Sequence, residues 1–179
     1  MNLEELLEQK KKVIVDKWFD IVVDTYPTDT SRFLKSQKNP FSNPVGNTTQ
    51  KSLAVLMDEL LGKMDTDTIN SFLDPIIRIR AIQDFTPSRA VSFLFSLKEI
   101  IRDQLKDKDF DNNELLIELI QFDRKIDLIA MAGFDIYMKC REKIYDIKAN
   151  EEKNRTFKAF ERAGLIKEFP DNNTEPQLV

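Results

Sequence analysis

DNNELLIELIQFDRKIDLIAMAGFDIYMKCREKIYDIKANEEKNRTFKAFER, residues 111–162, is the stretch that decides the fold. Asp111 is a good helix N-cap, and Glu114 follows three residues later at capping-box spacing. From there to Gly164 there is no proline and one internal glycine, Gly133. The pattern predicts a helix of about 50 residues, or about 75 Å at 1.5 Å per residue. Apolar or small residues recur along it at alternating steps of four and three: Ile126, Ala130, Gly133, Tyr137, Cys140, Ile144 and Ile147. A period near 3.5 is the seam of one helix facing another. These seven residues are the seam on which the helix would face another helix, and the expected interface if two copies of the chain pair across it. Beyond Ile147 the same positions read Glu151, Asn154, Lys158 and Glu161, so the seam turns polar.

Working outward, the rest of the chain also reads as helix. Leu3 to Val23 carries a broad apolar stripe that includes Trp18 and ends at Tyr26-Pro27. Thr30 to Gln37 is a short helix. Asn43-Pro44 starts a third, which stops at Gly62; asparagine before proline is driven to the extended backbone that an N-cap needs. Asp67 or Thr68 begins a fourth, in which Pro75 either kinks the helix or starts a new one. Thr86-Pro87 repeats the start signal, and the helix behind it, to about Lys106, is apolar nearly all round. The expected fold is all-α. The expected organisation is one body over residues 1–153 and a C-terminal extension over 154–179, helical to about residue 163 and then a disordered tail.

Composition narrows the function classes. A chain of 179 residues with net charge −4 and pI about 5.1 has no electrostatic reason to approach nucleic acid or anionic lipid. Charges interrupt every apolar run before the ~18 residues that a membrane span needs. The start, with Glu4 and Glu5, does not read as a signal peptide, and one cysteine excludes an internal disulfide; both favour the cytoplasm. The chain has no histidine. Its absence removes histidine acid–base catalysis, histidine-activated nucleophiles, histidine metal ligands and the usual proximal haem ligand. No enzyme and no cofactor is expected.

Several clusters have a functional and a plain reading. Arg78, Arg80, Asp84 and Arg89 would hold an anion or a partner's carboxylate, or form surface ion pairs at a helix junction. Gly46-Asn47-Thr48-Thr49 would offer backbone N–H groups to an anion, or be ordinary capping. Glu114, Glu118, Asp123, Asp127 and Asp135 read as a solvated face, because a di-metal bundle requires Glu-x-x-His. Cys140 is either a redox thiol or a buried seam residue. Gly133 marks either a close helix approach or a harmless kink. Phe72, Phe93, Phe95, Phe122 and Phe134 would line an apolar pocket for a small molecule such as a fatty acid, or fill an ordinary core. Phe157, Phe160, Leu165 and Ile166 stand on an otherwise polar arm and suit a partner protein's groove, or fold back on the body.

Three stretches, KNPFSNPVG (38–46), IRIRAIQDFTPS (77–88) and FDIYMKCREKIY (134–145), resemble one family. It is the RsbR/RsbRD-type N-terminal domain, the sensory half of stressosome co-antagonist proteins, and the likeness covers about residues 3 to 153. The resemblance implies a globin-like helical fold without haem, paired into a dimer through its last helices. In that family the last helix leads into a STAS domain that a kinase phosphorylates, and similar stand-alone sensors bind a fatty acid. The 26 residues after Lys153 are too few for a STAS domain, so its functions do not transfer. The expectation is a non-enzymatic sensor module that dimerises and binds a partner protein; the alternative is a fatty-acid-type binding protein.

Overall fold

In a computed structural model the described residues are 2–37, 39–83, 85–106 and 112–165. Among them the chain forms six helices and no strand: α1 (Leu3–Asp24), α2 (Thr28–Ser36), α3 (Pro44–Leu61), α4 (Thr66–Ile82), α5 (Pro87–Arg102) and α6 (Asn113–Arg162). The fold is all-α with a long C-terminal helix. It divides into two compact units, one up to Arg141 and one from Glu142 onward, with α6 contributing to both.

Local chemistry explains the boundaries. Asn2 caps α1 with a full capping box, its side chain accepting from Glu5 N–H while Glu5 returns a bond to Asn2 N–H. Asn43 and Thr86 cap α3 and α5, each followed by proline at the first helical position. Asp65 rather than Asp67 or Thr68 starts α4, by accepting from Thr68 N–H at 2.9 Å. The helix then runs through Pro75 without a break. Burial of Leu73, Ile76 and Ile77 on either side of the proline outweighs the lost backbone bond. The expected Asp111 cap lies outside the described residues. Asn112 caps α6, accepting from Glu114 N–H at 3.0 Å. Beyond Arg162, Gly164 takes φ +67°, and Leu165 N–H bonds Phe160 C=O, a glycine-terminated helix end. The expected disordered tail lies outside the described residues.

The core of the first unit is continuous. Trp18, Leu53, Met57, Leu73, Ile77, Phe93 and Leu97 are almost fully buried, and α1 and α5 are tied by Trp18 Nε1 donating to Phe93 C=O at 2.7 Å.

Candidate functional site

The inner face of α6 closes this core. Leu115, Leu119, Phe122, Ile126, Ile129, Ala130, Gly133, Tyr137 and Cys140 are all buried. Gly133 is where the approach is closest: a Cβ there would lie 3.0 Å from Leu94 Cδ1 and 3.5 Å from Leu73 Cδ2. Its glycine serves contact with α4 and α5. Tyr137 is 3% exposed and donates its hydroxyl to Phe85 C=O. Five of the seven expected interface residues, Ile126, Ala130, Gly133, Tyr137 and Cys140, are therefore occupied within the chain and cannot face a second copy. Helix-on-own-body and helix-on-partner produce the same 3.5-residue period, which is why the pattern misassigned them. Of the other two, Ile144 is half-buried and Ile147 is 48% exposed. Burial pushes the Cys140 thiol up, with Arg78 opposing and Asp74 adding.

The carboxylates of α6 are not one solvated face. Glu118 accepts from Leu3 N–H at 2.6 Å, Asp127 pairs with Lys98 at 2.6 Å, and Asp123 takes both terminal nitrogens of Arg102. These bonds fix α6 on α1 and α5. Glu114 and Asp135 remain exposed.

The α4–α5 junction separates the arginines that the sequence groups together. Arg78 pairs with Asp74 one turn away, at 3.0 and 2.7 Å. Arg89 is exposed, with its guanidinium 5.3 Å from the Phe85 ring. Arg80 is wholly buried and bonds Arg89 C=O, Val22 C=O and Thr25 Oγ1. Asp84 lies outside the described residues. From α6, Arg141 donates to Ala81 C=O at 3.1 Å. At the start of α3, Asn43 Oδ1 takes Gly46 N–H at 2.8 Å, and Asn43 Nδ2 donates to Leu34 C=O and Gln37 C=O. A Cβ at Gly46 would lie 2.4 Å from that amide, so the glycine makes room for the cap. This arrangement is capping; the amide that would meet an anion is already bonded.

The five phenylalanines do not face one chamber. Phe93 and Phe122 are buried, Phe72 is partly buried, and Phe95 and Phe134 are 43% and 39% exposed. A cleft of about 430 Å³ opens elsewhere, between α1, α2 and α3. Asp16, Asp20, Lys35, Gln37, Asn47 and Gln50 make its lining mostly polar.

The outer face of α6 is what the sequence reading missed. Ile117, Ile120, Leu128, Met131 and Met138 lie on the side of α6 away from the buried stripe at 100° per residue, with Phe134 on its flank, and all are exposed, Leu128 by 65% and Met131 by 61%. Phe95 borders this face, because Lys98 lies 5.8 Å from its ring and bonds Asp127. Arg124 and Asp135 stand on the same face, exposed and, among the described residues, without an ion pair. The signal was present as a second period in the same stretch. In the second unit, Phe157, Phe160 and Leu165 are 55%, 48% and 70% exposed; Ile166 lies outside the described residues.

Residues 12–151 match the family described as the RsbT co-antagonist protein rsbRD N-terminal domain. The chain belongs to this family. The rsbRD N-terminal domain is a regulatory, sensor-type family. An uncharacterized protein of Archaeoglobus fulgidus is similar, 26% identical over 145 residues that cover 79% of this chain and 84% of the relative. No solved structure matches the chain. None of its helices is long and apolar enough to cross a membrane, among the residues described.

Proposed function

We propose that this rsbRD-type domain is a non-enzymatic sensory module that pairs with a second copy through the outer face of α6 and engages a protein partner through Phe157, Phe160, Leu165 and Ile166. The observation that carries the reading is the exposed stripe from Ile117 to Met138. Large exposed apolar patches mark interaction sites. The centre of the stripe is self-complementary. An antiparallel two-fold pairing centred between Leu128 and Met131 sets Leu128 opposite the partner's Met131 and Arg124 opposite the partner's Asp135. Neither charge has an ion pair among the described residues, which supports that register.

The body, to about residue 153, is a globin-like fold that takes no haem, in keeping with the missing histidine. The extension, 154–179, carries the partner-binding residues. A cytoplasmic setting is supported by a lone thiol with no second cysteine to pair with. The fatty-acid reading finds less support, because Phe95 and Phe134 are exposed rather than enclosed with the other three.

Sedimentation of charge-reversed variants tests the pairing. Arg124→Glu weakens the dimer, and adding Asp135→Arg restores it. Equal dimer affinity in wild type, single and double variants removes this register.

A further inference from the structure

We propose that the α4–α5 junction is a two-state clasp, closed by Arg80 in an aromatic cage and opened when that guanidinium withdraws. Arg80 is 0% exposed, yet no carboxylate lies within ion-pair distance of it among the described residues. Nη1 donates to Arg89 C=O at 3.0 Å; Nη2 donates to Val22 C=O at 3.1 Å and Thr25 Oγ1 at 2.6 Å. The guanidinium carbon sits 4.9 Å from the Phe85 and Phe93 rings and 5.6 Å from that of Tyr26. Nε is buried and has no hydrogen-bond partner among the described residues.

A buried cation without a counter-ion carries a desolvation penalty that carbonyls and aromatic faces must offset. Burial holds Arg80 below its ordinary pKa, Tyr26 opposing and Arg89 adding. The closed junction is thus held by packing on every side and opposed by the charge inside it. The geometry makes this one side chain decisive. Val22 and Thr25 end α1, Arg80 ends α4 and Arg89 is in the first turn of α5, so withdrawal releases three elements together. The same turn is held from α6, by Tyr137 on Phe85 C=O and Arg141 on Ala81 C=O. A ligand or partner that prefers the open junction would therefore change how α6 is gripped. The clasp stands whether or not two copies pair.

Hydrogen exchange of the intact protein, read by mass spectrometry, tests it. The informative amides are Phe85 and Ala90 to Phe93, compared with Leu53 to Leu60 in the core of α3. In wild type the junction exchanges by local opening, about tenfold or more faster than the α3 core and with little dependence on dilute denaturant. Arg80→Met fills the cage without the charge and slows junction exchange about tenfold, leaving α3 no faster. The clasp is overturned by wild-type junction amides that exchange at the α3 rate and with its denaturant dependence. It is equally overturned if Arg80→Met speeds exchange in both segments or fails to fold, since Arg80 would then be a structural keystone.

Discussion

Between Leu115 and Cys140, α6 carries two apolar stripes with the same helical period. One is covered by the chain's own α4 and α5; on the other, Leu128 and Met131 remain more than half exposed. The difference lies in the residues between the apolar positions. The inner stripe contains the small ones, Ala130 and Gly133, which let α6 come close to Leu94 and Leu73. The outer stripe contains none of these and instead carries Arg124 and Asp135, charges that a monomer leaves in water. Period reports that a helix face is covered; side-chain size and charge report by what.

The largest expected effect is on the inner stripe. Tyr137→Ala removes a buried ring and leaves Phe85 C=O without its donor, and should cost about 3 to 5 kcal/mol in denaturant unfolding. A loss below 1 kcal/mol would mean that Tyr137 is not core. On the outer stripe, Met131→Glu should leave the unfolding midpoint of the monomer within about 0.5 kcal/mol of wild type, since the site is exposed. The same change should weaken the dimer by about 2 kcal/mol or more, each substitution counting twice across a two-fold axis. Its cost moving from association to unfolding would erase the contrast between the faces. Smaller still is the effect of Phe157→Ala with Phe160→Ala. Neither the midpoint nor the dimer should shift, and only capture of the partner protein should be lost. A drop in thermal stability would show that these rings pack on the chain itself.

Much of the fold could be read from residues because its signals are local. Asn43-Pro44, Thr86-Pro87 and Gly62 mark helix ends through chemistry within one turn, and the structure has those ends. Pro75 could not be resolved, because what carries α4 through it is burial of Leu73, Ile76 and Ile77, a tertiary effect. The site was less legible for the same reason. Arg78, Arg80 and Arg89 look alike within twelve residues of sequence, yet one pairs with Asp74, one is buried and one faces water. The carboxylates of α6 looked solvated because Lys98, Arg102 and Leu3 N–H, which meet them, are remote in sequence. Following one stripe of α6 also concealed the other.

Crosslinking with a short bifunctional maleimide compares the two faces in a single measurement. Native Cys140 is buried and its thiol pKa is raised, so the wild-type chain should give no covalent dimer, while Met131→Cys should give one readily. Efficient crosslinking through native Cys140, with no gain from Met131→Cys, would put the inner stripe between two copies and contradict the account.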